Sequence, residues 1–192
     1  TVRTRAWASR FPTMFGNAQP HAAHVAVVDL WKAGRLIGCV PQTLDGLLQA
    51  AGLPQVAIAE RHGYAAGLAC GECRSAHEPA EIEQRWINGD VDPRCDQCGG
   101  ILKSTIVFFG EILPHAEIAL ANKWAAEADA VISVGSSLSV YPAAYIPLEI
   151  ASRGDSFVII NNGPTDLDTL ASIRLEGLAG TLLPQLVNAI IG

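Results

Sequence analysis

Two pairs of cysteines carry the strongest chemical signal in this 192-residue chain. Cys70-Gly71-Glu72-Cys73 is followed, after 21 residues, by Cys95-Asp96-Gln97-Cys98. Thiolates two residues apart can grip one ion from a tight turn. Two such knuckles complete a tetrahedron around Zn²⁺, an ion soft enough to prefer sulfur. Gly71, Gly99 and Gly100 stand where turns around a metal want no side chain. Local disulfides, or four ordinary buried cysteines, are the plainer alternatives; the paired spacing and the lack of any sign of secretion favour zinc. With all four sulfurs as ligands no position is left for water, so this metal is structural and the chemistry lies elsewhere.

Other candidates are single residues at the ends of apolar runs. His62 sits between Arg61 and Gly63 and fits a general base, because an imidazole titrates near working pH; a structural histidine is the alternative. Gly135-Ser136-Ser137 follows an apolar run, where backbone N–H groups and hydroxyls could hold a phosphate at a helix start, or simply form a turn. Asn161 offers an amide to ribose hydroxyls or an adenine edge, or caps a turn. Asp45 could bind a hydroxyl or cap a helix. His21, His24, His77 and His115 show no partner pattern for catalysis or a second metal.

Composition narrows the class. Apolar residues make up 49% and charged residues 17%, so a partner or more chain is expected to cover part of the surface. A net charge of −6 gives no bulk attraction to nucleic acid, and a basic peptide is the more natural guest. No uncharged apolar run is long enough to span a membrane and no signal peptide opens the chain, so a cytoplasmic setting is expected. Cys39, in an apolar run, reads as a small buried hydrophobe.

These residues must be held by something, and the chain alternates apolar strands with helices. Strands are expected over 36–40, 56–59, 105–109, 130–134, 157–160 and 173–175. Helices are expected over 21–33, 44–51, 114–128, 142–152 and 181–191, with Pro147 kinking or splitting its helix and Pro184 in the first turn of the last. Residues 1–15 carry three arginines and no acid and read as a possible helix broken up by Pro12, Gly16 and Pro20. Apolar strands alternating with helices imply an α/β fold with a doubly wound, mostly parallel, Rossmann-like sheet. Its nucleotide-binding part would span 1–63 and 105–192, and the four-cysteine zinc-ribbon module 64–104 would be inserted. Polar or glycine-rich runs follow the strand ends, the edge of such a sheet where ligands bind.

Several segments, in order, resemble the sirtuins, a family of NAD-dependent protein deacylases and ADP-ribosyl-transfer enzymes. They are Pro20-His21-Ala22-Ala23-His24, Gln42-Thr43-Leu44-Asp45-Gly46-Leu47, Glu60-Arg61-His62-Gly63, the cysteine quartet, Ile106-Val107-Phe108-Phe109-Gly110-Glu111, Gly135-Ser136-Ser137-Leu138 with Val140-Tyr141-Pro142, and Asn161 with Asp168. The resemblance implies that His62 is the general base acting on a ribose hydroxyl. It implies that Gln42, Thr43 and Asp45 line the nicotinamide and ribose pocket, and that Gly135, Ser136, Ser137 and Asn161 hold the rest of NAD. Val107 and Phe109 would line a tunnel for the acylated lysine of a protein or peptide. Gly110 and Glu111 on one side, with Val140 and Tyr141 on the other, would clamp its backbone as an added strand.

The chain departs from the family in two ways. The opening strand, with its Gly-Ala-Gly-x-Ser loop, has no counterpart, so an N-terminally incomplete sirtuin is expected, with an open sheet edge that could promote self-association. Thr43 stands where the family has asparagine, Pro41 replaces its threonine, and Leu48 replaces a common histidine. Weak or absent deacylation is expected, with a non-catalytic peptide-binding module or a protein ADP-ribosyltransferase as the competing readings.

Overall fold

The computed structural model describes residues 2–13, 18–63, 65, 67–108 and 110–192. Its helices and strands run α1 (Val2–Thr13), α2 (Ala22–Lys32), α3 (Leu47–Ala50), β1 (Leu68–Cys70), β2 (Ala76–His77), α4 (Pro79–Ile87), β3 (Leu102–Ser104), α5 (His115–Glu127), β4 (Ala130–Val134), α6 (Tyr145–Ser152), β5 (Ser156–Asn161), β6 (Ile173–Glu176) and α7 (Ala179–Ile191). They form two compact units, one of Thr1–Ala18, Thr43–Gly46 and His62–Leu113, the other of Gln19–Gln42, Leu47–Arg61 and Pro114–Gly192.

The second unit is the α/β part. Its sheet has the order β4-β5-β6 and is parallel throughout, with Ile132 opposite Val158 and Val158 opposite Ile173. β5 is covered on both faces, and the period of two in its side chains assigns each face. Val158 and Ile160 pack with Ala23, Ala26 and Leu30 of α2 and Leu183 and Val187 of α7. Phe157 and Ile159 pack with Leu138 and Leu167, and Leu148 and Ala151 of α6 lie against them. A doubly wound sheet follows from that alternation. β4 has no second strand neighbour among the described residues.

Local signals end these elements where the residues demand it. Past α2, Gly34 takes φ +68°. Its N–H donates to the Trp31 carbonyl at 3.0 Å, and the Arg35 N–H to that of Leu30 at 2.9 Å. That pair of bonds closes the helix in a Schellman motif, and the left-handed position favours glycine. Gly38 has a different reason to lack a side chain, because a Cβ there would lie 2.2 Å from the Trp124 ring of α5.

Several expected elements differ. The strands expected over 36–40 and 56–59 reduce to one parallel bridge, Cys39 with Ile58. The Cys39 N–H donates to Ala57 and the Ala59 N–H to Cys39. Gln55–Ala57 winds into a 3₁₀ turn instead, since two short parallel strands without further neighbours rarely hold. Residues 105–108 form no strand, and Phe109 lies outside the described residues. The helix expected over 44–51 shortens to α3, because Gly46 takes φ +68° just before it. α6 starts only at Tyr145, after a cis Tyr141–Pro142 bond, so Pro147 falls in its first turn and neither kinks nor splits it. α7 starts early, at Ala179, which puts Pro184 inside the helix, where it forfeits the bond to the Gly180 carbonyl.

The first unit is small. Its sheet is antiparallel, in the order β2-β1-β3. Its core holds Leu68, Cys70, Ile82, Cys95 and Leu102, with Trp86 of α4 packed against them. Trp7 of α1 completes that cluster. Val2–Thr13 is thus one helix and supplies no strand.

Candidate functional site

The four cysteines meet in the first unit, with their sulfurs all within 4.8 Å of one another. The two knuckles are built alike. The Cys70 N–H donates to the Ser75 carbonyl at 2.9 Å and the Cys95 N–H to the Gly100 carbonyl at 3.0 Å, the same closure at the same spacing twice. Arg74 and Gly99, each directly after its second cysteine, take φ +65° and +72°. Cys70 Sγ lies 3.5 Å from Cys98 Sγ and Cys73 Sγ 3.6 Å from Cys95 Sγ, far beyond a disulfide bond, and all five cysteines are free. A tetrahedron with metal–sulfur bonds of about 2.3 Å has edges of about 3.8 Å, so the donor set fits Zn²⁺. The cradle is also tight. A Cβ on Gly100 would stand 2.8 Å from Cys70 Sγ and 3.1 Å from Cys98 Sγ. Ser75 Oγ lies 3.4 Å from Cys95 Sγ, and that hydrogen bond draws the Cys95 thiol down to about 5.

His62 belongs to the same unit. Its carbonyl accepts from the Val107 N–H at 3.0 Å. Gly63 takes φ +76°, and a Cβ there would come within 2.1 Å of the Thr105 carbonyl oxygen. Only glycine can follow His62 at that approach, which is a physical reason for the His-Gly pair. The Ala65 N–H donates to the Leu44 carbonyl at 3.1 Å, so the 43–46 segment is fastened to the stretch that carries His62. Thr43 Oγ1 donates to Asp45 Oδ1 at 3.3 Å. His62 Nδ1 is buried.

Beyond Val107 the chain turns on Glu111. Its carboxylate accepts from the Phe108 N–H at 3.1 Å and pairs with Lys103 at 2.9 Å, and the Lys103 hydrogen bond holds it below the usual carboxylate range. Gly110, at φ +88°, permits that turn. Phe108 and Ile112 stand 61% and 83% exposed beside it, an apolar surface next to a charged clamp.

In the second unit Gly135 follows β4 at φ +63°, and its N–H donates to the Ile160 carbonyl at 2.9 Å. Ser136 Oγ accepts from the Leu138 N–H, and Ser137 Oγ lies 2.7 Å from Ser139 Oγ. Of the two readings of Gly135-Ser136-Ser137, a helix start and a turn, the structure has the turn. Leu138 takes φ +58°, which turns the chain away, and α6 begins only at Tyr145. Asn161 ends β5 and donates from Nδ2 to the Gly163 carbonyl at 3.0 Å. Gln42, Val140 and Tyr141 are exposed in the same unit, and the Tyr141 ring meets Tyr145 edge-on at 4.7 Å.

Cys39 is half-buried against the cluster of Leu53, Ala57 and Ile58 rather than fully buried, and desolvation there pushes its thiol up to about 11. Arg61 escaped the sequence reading. It is 2% exposed, its Nε and Nη1 are buried without a hydrogen-bond partner among the described residues, and burial lowers its pKa. Guanidinium nitrogens buried without a hydrogen-bond partner are destabilising. Arg61→Met should therefore raise stability, by about 1–4 kcal/mol, in a urea titration. A lower midpoint would show that the guanidinium is satisfied in solution. The sequence offered no signal for Arg61, since its burial comes from tertiary packing.

A parallel sheet with loops at the carboxyl ends of its strands and a four-thiolate ribbon fitted to zinc together mark a Rossmann-like class of α/β protein. The family model that matches is that of the Sir2 family, over residues 3–142, and the chain belongs to that family. It is 37% identical over 179 residues to an NAD-dependent protein deacetylase of Caldivirga maquilingensis, covering 93% of this chain and 68% of that one. Among solved structures it resembles Sir2 bound to acetylated peptide, with a TM-score of 0.86 at 28% identity, covering 96% of this chain and 76% of that one. It also resembles a Sir2 homolog–NAD complex, with a TM-score of 0.84 at 32% identity over 97% and 70% of the two chains.

Proposed function

We propose that this protein is an NAD-dependent protein-lysine deacylase of low turnover. The packing of His62-Gly63 against 105–107 supports this reading most directly, because it fixes the one residue suited to move a proton. When bound, NAD supplies a ribose carbon bearing a good leaving group. His62 takes the proton of a ribose hydroxyl at Nε2. Gln42, Thr43 and Asp45 orient that ribose, while Gly135, Ser136, Ser137 and Asn161 bind the rest of the dinucleotide. Val107 and Phe109 receive the acylated side chain, and Gly110, Glu111, Val140 and Tyr141 bind the peptide backbone. Cys70, Cys73, Cys95 and Cys98 hold zinc. The free cysteines fit a reducing cytoplasm, and no helix among the described residues is long and apolar enough to cross a membrane.

Thr43 sets the low turnover. Its hydroxyl is spent on Asp45, and it lacks the amide that the family's asparagine brings to the ribose. Orientation of that ribose is where small losses of geometry are most costly. The same observation favours a second reading, a module that binds acylated peptide without turning it over. Thr43→Asn separates them, with nicotinamide release from an acetyl-lysine peptide as the readout. A rise of about tenfold or more is expected. No release from either form would favour the binding module.

A further inference from the structure

Arg174 lies on β6, at the edge of the parallel sheet, opposite Ile159 of β5. From there its guanidinium reaches acceptors on both ends of the 161–168 loop. Nη2 donates to the Gly163 carbonyl at 2.7 Å, and Nε lies 3.1 Å from Asp168 Oδ1. Nη1 pairs with Glu176, the residue opposite Asn161, at 2.9 Å. The acceptors are themselves committed. The Gly163 carbonyl also receives Asn161 Nδ2, and Asp168 accepts both the Thr165 hydroxyl at 2.7 Å and the Thr165 N–H. From the same loop the Asp166 N–H donates to the Ser137 carbonyl at 3.0 Å. One planar cation thus holds both ends of the loop after β5, and the Asp166 N–H of that loop ties it to the turn after β4.

We infer that Arg174 is a positioning residue, which holds the 161–168 loop so that Asn161 and Ser137 are presented together to NAD. This rests on the function proposed above. An ordinary surface ion pair contributes almost nothing to stability and would leave the loop free. Arg174 differs because it hydrogen-bonds a main-chain carbonyl and the Glu176 carboxylate while its Nε ion-pairs with Asp168, so one rigid group holds all three. Hydrogen bonding from Thr165 and pairing with Arg174 keep Asp168 below the usual carboxylate range, so the clamp is fully charged at neutral pH. A lysine offers no fork and could serve only part of the set.

Amide hydrogen exchange and calorimetry on wild type, Arg174→Gln and Arg174→Lys test the inference. Without NAD, exchange of the 161–168 amides should quicken about tenfold in Arg174→Gln, while that of β5 stays unchanged. Affinity for NAD should fall about tenfold, affinity for an acetyl-lysine peptide should not move, and Arg174→Lys should recover part of the loss. Unchanged exchange in the loop would overturn the clamp. Faster exchange with NAD affinity unaltered, or an equal loss for both ligands, would overturn the positioning role. Wild type that bound no NAD would defeat the proposed function and this cofactor role together, with the exchange result still deciding the clamp.

Discussion

Stripping the metal from the four-thiolate site should unfold the first unit. Its strands are two or three residues long, too short to persist alone in water. Two of the six residues in its main buried cluster, among the described residues, are Cys70 and Cys95 of the four-thiolate site. Without a metal, that core loses its centre and brings four thiolates within 4.8 Å of one another. Binding of a structural zinc contributes roughly 10–16 kcal/mol in small zinc domains, more than such a core can replace. Metal analysis should find one zinc per chain. Chelation, or Cys95→Ala, should then abolish amide protection across β1, β2 and β3. Cys39→Ser, remote from the ligand set in sequence and inert by burial, should leave the zinc content intact. A chelated protein that kept full protection in β1–β3 would show that the sulfurs are merely packed.

The second large effect belongs to His62. His62→Ala should lower NAD-dependent deacylation by about 10²–10⁴-fold, the usual contribution of a positioned general base. The fold should survive, because His62 is half-buried and the bond from the Val107 N–H to its backbone carbonyl is kept by alanine. Zinc content and affinity for an acetyl-lysine peptide should therefore be retained while turnover is lost. Equal activity in the variant would remove His62 from its role. Loss of peptide affinity along with turnover would mean that the substitution damages the fold.

Much of this architecture could be read from residue order because it depends on local pattern. Ala130–Val134 is apolar and β-branched, and the structure makes it β4 with those same bounds. The paired cysteines declared their cluster by spacing alone. Pairing partners were less visible. Residues 36–40 look like β4 in composition, but a strand needs a neighbour, and these residues find only the Cys39–Ile58 bridge. Trp7 gave no hint that α1 would complete the core around Cys70 and Cys95, since 61 residues of chain or more separate it from that core. Gly63 and Arg174 were silent for the same reason. The Thr105 carbonyl that excludes a side chain at Gly63, and the Gly163 carbonyl that Arg174 holds, are brought close only by folding. Proline signals were legible, but their consequences depended on helix starts, as Pro147 and Pro184 show.

Mass spectrometry of an acetyl-lysine peptide, incubated with the zinc-loaded protein with and without NAD, tests the central claim most directly. Slow loss of the acetyl group that requires NAD is expected, with one nicotinamide released for each group removed. A peptide that stays fully acetylated after many hours with saturating NAD and stoichiometric protein would contradict it.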